Sequence, residues 1–187
     1  MNINDHEYTF KIALIGNEGT GKTSVIDRYM ENKFNTNYQP TMGVNLLKTT
    51  KVLPNSEGGT DRVNLMIWDI AGQKKYERVR SMYFQGCRGV IFVYDMTRPD
   101  TYDDIREKWV KDYASFAESD SIIILIGNKK DLTDKIKIGT AMGYQLAAEI
   151  KAVEFFETSA KTGDNIQRLF EILIQKLIIK GAELRGK

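Results

Sequence analysis

Cysteine occurs once in 187 residues, at Cys87, so no internal disulfide can form and a zinc site built from thiolates is excluded. Its neighbours Gly86 and Gly89 suit a small, buried core residue. Proline occurs three times, apolar residues make up 42% and charged residues 28%, which excludes collagen-like, mucin-like and largely disordered chains. An excess of one charge is missing as well: 27 Lys and Arg oppose 25 Asp and Glu, and a net +2 is too close to balance for bulk electrostatic binding of nucleic acid. The longest apolar runs, 90–94 and 122–126, fall far short of the roughly 20 residues a helix needs to cross a bilayer. Residues 1–7 are polar with Asn at position 2, so they hold neither a signal-peptide core nor an N-myristoyl site, and a cytoplasmic location is expected. The one histidine, His6, lies in that stretch and is expected to be a solvated terminal residue with no catalytic part.

What is present alternates between two patterns. Residues 8–16 read YTFKIALIG, a β-branched run ending in glycine, and good helix formers follow Lys22, which predicts strand, loop and helix. Residues 44–53 and 62–70 favour strand, and the PNSEGGTD around their junction is turn chemistry, so the two form an antiparallel hairpin. GVIFVYD at 89–95 and SIIILIG at 121–127 are apolar almost throughout, as in strands of a parallel sheet covered by helices on both faces. Residues 99–117 and 139–151 are long enough for helical crossovers, and a short strand, 153–157, follows. Ile166, Leu169, Phe170, Leu173, Ile174, Leu177 and Ile178 fall at helical spacing up to Gly181, an apolar face expected to pack on the sheet. The order predicts one α/β domain over 8–181, between a polar extension, 1–7, and a short tail, 182–187. Its ligand belongs beyond the carboxyl ends of the strands.

The chemistry-bearing residues fall at those ends. Gly16, Asn17, Glu18, Gly19, Thr20, Gly21, Lys22 and Thr23 fit GxxxxGK[ST] after a strand and before a helix, where glycines let backbone N–H groups turn around phosphate oxygens. Lys22 would reach the β and γ phosphates and the Thr23 hydroxyl would ligate Mg2+. Asp69 ends the strand NLMIWD, placing a carboxylate where it could hold a water on Mg2+, with Gly72 free to approach a γ-phosphate. Asn128, Lys129, Lys130 and Asp131 follow IIILIG. The Asp131 carboxylate could accept from the N1 and N2 donors of guanine, whereas adenine offers an acceptor at N1. Thr158, Ser159, Ala160 and Lys161 follow the strand holding Phe155 and Phe156, and the N–H groups of Ser159 and Ala160 could donate to guanine O6.

GNEGTGKTS (through Ser24), YQPT, WDIAGQ, NKKD and ETSAK stand in one order across residues 16–161, and the set resembles the Ras superfamily of small GTPases. The resemblance implies a P-loop GTPase domain: a six-stranded, mostly parallel sheet with one antiparallel strand and helices on both faces. It implies GTP as substrate, GDP as product and Mg2+ as cofactor. In that family Phe34 would pack on the guanine edge and Tyr38 would belong to the nucleotide-contacting switch I. Thr41 would close on Mg2+ and γ-phosphate, and Gln73 of switch II would orient the attacking water. Gln73, Lys22 and Thr41 are thus the expected catalytic set, and Thr23, Thr41 and Asp69 the expected metal set. PTMGV, NLMIWDIAGQ and MYFQGCRGVIFVYD are most similar to Rab proteins. That branch implies an effector, an exchange factor and a GTPase-activating protein acting on switch I, the interswitch and switch II, and a monomer that binds no nucleic acid. The aromatic triad of its effector surface would be Leu46, Trp68 and Tyr83, one aromatic being replaced by leucine. Residues 74–80, KKYERVR, carry four basic groups and one acid, a surface for an acidic partner or a solvated basic helix. The closing AELRGK has no cysteine, so it offers no acceptor for the prenylation usual in Rab proteins, and no direct lipid anchor is expected.

Glu18 departs from the small residue usual at its place in the family. One expectation is obstruction of Gln73 or of an incoming arginine, giving slow intrinsic hydrolysis; a γ-phosphate would also repel the carboxylate unless it turned outward, toward Lys74 or Arg78. The other is an outward, solvated side chain of little effect. No arginine lies between Phe34 and Thr41, so rapid turnover would need a partner to stabilise the developing charge. A nucleotide-held binding module that hardly turns over is the alternative. A phosphate-loop ATPase or kinase is a further one, but it would have no use for Asp131.

Overall fold

The computed structural model describes residues 4–36, 40–72, 82–117 and 120–185. Six strands form one sheet in the order β2-β3-β1-β4-β5-β6. They are β1 (His6–Ile15), β2 (Val44–Pro54), β3 (Thr60–Ile70), β4 (Cys87–Asp95), β5 (Ile122–Asn128) and β6 (Glu154–Glu157). Among these strands only β2 runs antiparallel, paired with β3 from Val44 opposite Ile70 to Pro54 opposite Thr60. The other neighbours are parallel. The expected fold class is the one observed.

Helix α1 (Lys22–Glu31) starts after Gly21, whose φ of 95° lies in the left-handed region, and Asn32 at φ 54° closes it with its N–H on the Arg28 carbonyl. The first crossover begins with Pro99 in the first turn of α2 (Pro99–Asp104), where the missing N–H is harmless. It then widens into a π turn (Ile105–Trp109) and resumes as α3 (Val110–Ala114). The pattern of apolar residues gave no sign of that widening, which brings Trp109 toward the loop after β1. Helices α4 (Thr140–Glu149) and α5 (Ile166–Arg185) follow β5 and β6.

Alternation along the central strands feeds two cores. Ile12, Leu14, Ile91, Val93, Ile124 and Ile126 face α1 and α5, where Tyr29 stacks on Phe170 with ring centroids 3.8 Å apart. Ala13, Ile15, Val90, Phe92, Tyr94 and Leu125 face the first crossover and α4. Cys87 is buried in the second core. Ile166, Leu169, Phe170, Leu173, Ile174 and Leu177 are buried as expected, with Ile178 partly so.

Two details differ from the sequence expectation. His6 is the first residue of β1, not a solvated terminal residue, and its Nδ1 lies 3.1 Å from Asp61 Oδ1. That contact belongs to a set of bonds joining the start of the chain to the hairpin tip, including Asn4 Nδ2 to the Glu57 carbonyl at 2.6 Å and the Thr60 N–H to Asp5 Oδ1 at 2.9 Å. Helix α5 runs through Gly181 to Arg185. A Cβ on Gly181 would stand 3.4 Å from the Phe10 ring and 3.5 Å from the Tyr8 ring, so this glycine permits close packing where an end was expected. Leu177, Lys180 and Gly181 share a cavity of about 170 Å3 with Tyr8, Phe10, Arg88 and Asp120, at the amino ends of β1 and β4.

Candidate functional site

At the opposite, carboxyl ends of the strands lies a cavity of about 600 Å3. Of the residues singled out from sequence, Glu18, Gly19, Gly21, Lys22, Thr23, Ser24, Phe34, Thr41, Asp69, Gly72, Asn128, Lys129, Asp131, Ala160 and Lys161 line it. Gly16, Asn17, Thr20 and Ser159 are not among its lining residues. Tyr38, Gln73, Lys74 and Arg78 lie outside the described residues. Asp27, Asn35, Thr36 and Asn45 also face the cavity, although sequence reasoning did not select them.

In the loop after β1, close contacts leave no room for a side chain at Gly16 or Gly21. A Cβ on Gly16 would fall 2.1 Å from the Val93 carbonyl oxygen, and one on Gly21 would fall 2.3 Å from Asn128 Nδ2. Gly72 presses on the same loop: its Cβ would be 2.5 Å from the Gly16 oxygen and the Glu18 nitrogen. Lys22, 6% exposed, donates from Nζ to the carbonyls of Gly16 and Asn17 at 2.9 Å each. The loop is also tied to the first crossover. Asn17 donates from Nδ2 to Asp104 Oδ2 at 2.7 Å and accepts from Trp109 Nε1. Arg98 donates from Nη2 to the Glu18 carbonyl at 2.9 Å.

Beside the loop, three oxygen-bearing side chains converge. Thr23 Oγ1 donates to Asp69 Oδ2 at 2.6 Å and lies 2.7 Å from Thr41 Oγ1. Asp69 is fully buried and its Oδ1 has no hydrogen-bond partner among the described residues, an unmet acceptor at the cavity wall. Burial pushes the Asp69 carboxyl above its ordinary value, against the opposing pull of the Thr23 hydroxyl and the Lys22 charge. Hydroxyl and carboxylate oxygens around an unsatisfied carboxylate fit a hard divalent cation such as Mg2+, which keeps waters and substrate oxygens for its remaining positions. Among the described residues no group of three or more His, Cys, Asp or Glu that could hold a metal is found, so a closed all-protein cage is not what these residues offer.

On the far side of the cavity Asp131 Oδ1 accepts from Ser159 Oγ at 2.7 Å, and Lys161 Nζ stands 4.0 Å from Oδ2. Asn128 ties this loop to the one after β1, donating from Nδ2 to the Thr20 carbonyl at 2.9 Å and accepting from Thr158 Oγ1 at 3.1 Å. The N–H groups expected to face a guanine O6 already have acceptors: Ser159 N–H bonds the Asp164 carbonyl at 3.2 Å and Ala160 N–H bonds Asn128 Oδ1 at 3.2 Å. Lys129 has a left-handed φ of 71° and its Nζ sits 2.7 Å from Asp95 Oδ2. Asp95, buried at the end of β4, also receives Arg98 Nε at 3.0 Å and both the N–H and Oγ1 of Thr97. Sequence reasoning passed over Asp95, Arg98, Asp104 and Trp109. The signal that could have found Asp95 was a carboxylate closing a run of buried apolar residues, since a buried charge needs partners.

Two members of the expected effector triad lie on the sheet, and the third, Tyr83, packs on one of them from the segment before β4. Leu46 is paired with Trp68 across β2 and β3, and the Trp68 and Tyr83 ring centroids are 5.3 Å apart. Leu46 is 48% exposed. Lys11 Nζ lies 4.5 Å from the Trp68 ring centroid.

Residues 11–179 match the Ras family profile. Ras-related protein RabC of Dictyostelium discoideum is 34% identical over 173 residues, covering 92% of this chain and 86% of that protein. Ras-related protein Rab-1 of Theileria annulata is 36% identical over 174 residues, 92% of this chain and 76% of that one. Ras-related protein Rab-8B of Homo sapiens is 33% identical over 175 residues, 94% and 81% respectively. With the sheet order and the motif positions in agreement, the chain belongs to the Ras family and is a Rab-like small GTPase.

Proposed function

We propose that this protein binds GTP and GDP with Mg2+ in the cavity of about 600 Å3, hydrolyses GTP slowly and acts as a molecular switch. The observation that carries the reading is convergence: a glycine-shaped loop, a Thr23–Thr41–Asp69 cluster with an unmet carboxylate oxygen, and an Asn128–Asp131 loop all open on that one space. Asp131 selects guanine through its two acceptor oxygens, and Phe34 covers the base edge. Loop N–H groups and Lys22 hold the phosphates, Lys22 exchanging its two loop carbonyls for phosphate oxygens. Thr23, Thr41 and Asp69 hold Mg2+, which supplies neutralisation of developing charge on the phosphate oxygens.

Gln73 orients the attacking water, a role that rests on its place in the family pattern. Glu18 at the cavity wall obstructs that water or an incoming arginine, which makes intrinsic turnover slow. GTP orders residues 34–43 and 70–80 and hydrolysis releases them, so that an effector, an exchange factor and a GTPase-activating protein read different states. The protein works as a monomer, on the cytoplasmic side, in membrane traffic or signalling, with any membrane contact supplied by its partners or by a longer tail.

Single-turnover GTP hydrolysis with Mg2+ tests the reading. Wild type is expected to hydrolyse GTP measurably, Gln73→Leu to be slower by about tenfold or more, and Glu18→Gly to be faster than wild type. A wild type that binds GTP but is inert, and that Glu18→Gly does not rescue, leaves a nucleotide-held binding module in place of an enzyme.

A further inference from the structure

Arg98 bonds at once to a buried carboxylate and to the outer face of the phosphate-binding loop. Its Nε lies 3.0 Å from Asp95 Oδ2 and its Nη2 donates at 2.9 Å to the carbonyl of Glu18. The guanidinium is planar, with donors in a fixed fork, so the Asp95 bond sets the direction in which Nη2 can reach. Asp95 is itself fixed, 1% exposed at the end of β4, with Lys129 and Thr97 on its remaining lone pairs.

The consequence lies in the peptide that joins Glu18 to Gly19. A trans peptide is planar, and its C=O and N–H point in opposite directions. Holding the Glu18 oxygen toward Arg98 therefore turns the Gly19 N–H the other way. Gly19 lines the cavity with a φ of 73°, a left-handed conformation that glycine adopts at no steric cost. A Cβ on Gly19 would lie 3.7 Å from Arg98 Nη2, so the guanidinium packs closely on this turn.

We infer that Arg98 is a positioning residue for phosphate binding: anchored on Asp95, it holds the Glu18–Gly19 peptide so that the Gly19 N–H faces the phosphate chain. The same Asp95 carboxylate restrains Lys129 beside the base-selecting loop, so one buried group sets the geometry of both halves of the nucleotide site. This rests on the proposed reading of the cavity as a guanine-nucleotide site and adds a residue that touches no nucleotide. The base-selecting residues follow β5 and β6, whereas Thr23 stands in α1, Thr41 before β2 and Asp69 near the end of β3, so a longer phosphate chain reaches farther along the loop toward that cluster. Loss of Arg98 should accordingly weaken GDP more than GMP.

The test measures the dissociation constants of GDP and GMP, with Mg2+, for wild type, Arg98→Ala and Arg98→Lys. Arg98→Ala is expected to weaken GDP by about fivefold to tenfold, in line with one charge-assisted hydrogen bond in a partly exposed place, and GMP by less than about twofold. Arg98→Lys keeps a charge beside Asp95 but cannot span to the Glu18 carbonyl as well, so it should show the same change in the GDP to GMP ratio even if Arg98→Ala folds poorly. Equal weakening of both nucleotides in both variants, or no change in either, overturns the inference while the site reading stands. A wild type that binds neither nucleotide overturns the site reading and the inference together.

Discussion

Burial alone would push the Asp95 carboxyl upward, but hydrogen bonds from Lys129 and Thr97 and the Lys129 charge outweigh it and hold the group below its ordinary value of 3.8. A carboxyl depressed in the folded state adds stability that is complete above the unfolded value and disappears as pH falls through the folded one. Asp95→Asn is therefore expected to melt roughly 3 to 6 °C below wild type at pH 7, a modest figure because Lys129 and Arg98 are each about a third exposed. The gap should narrow steadily below about pH 4, which melting curves taken down to acid pH would check. A gap that stays constant with pH would mean that the carboxylate's charge is not what matters. At this scale the sequence spoke clearly wherever backbone and phosphate geometry fix the spacing, as in Gly16 to Thr23, or where one strand end delivers the group, as with Asp69 and Asp131. It was silent on Arg98 and Trp109 because their contacts cross 80 and 92 positions of chain, and neither residue type at its place signals a partner that far away.

Among the elements, the buried strands were plain from their composition, since a parallel strand covered on both faces tolerates little except apolar side chains. Helix α5 was plain from its stripe, but its extent was not. Gly181 suggests an ending by itself, whereas in the fold it allows the helix to pass close to Phe10 and Tyr8. The π turn at Ile105–Trp109 was equally invisible, because one extra residue per turn within an amphipathic stretch barely disturbs the apolar pattern. The stripe has an energetic counterpart. Leu173 is fully buried, and its Cδ1 would lie 3.1 Å from a Cβ on Gly89, a sign of tight packing between α5 and β4. Leu173→Ala is expected to cost about 2 to 5 kcal/mol in urea unfolding, through lost transfer energy and an unfilled cavity, with the midpoint shifted and the slope unchanged. A loss under about 1 kcal/mol would show that the site collapses and that the helix is held elsewhere.

For the whole molecule, ligand binding and folding are linked because the cavity's walls come from the loop after β1, α1, β2, β3, β5 and the loops after β5 and β6. A nucleotide that binds only the folded chain, present at about 100 times its dissociation constant, adds about 2.7 kcal/mol. For a domain of this size that corresponds to a rise in melting temperature of roughly 5 to 10 °C. GDP with Mg2+ should produce such a rise, ADP should not, and a chelator should remove much of it. A rise with ADP equal to that with GDP would sink the assignment of Asp131 as base selector. At the pole away from that cavity, Asn4 and His6 are fastened to the hairpin tip and Gly181 lies against the rings of Phe10 and Tyr8. A pull applied between Asn4 and Gly181 would thus load β1 and α5 before it reached the loops that line the cavity.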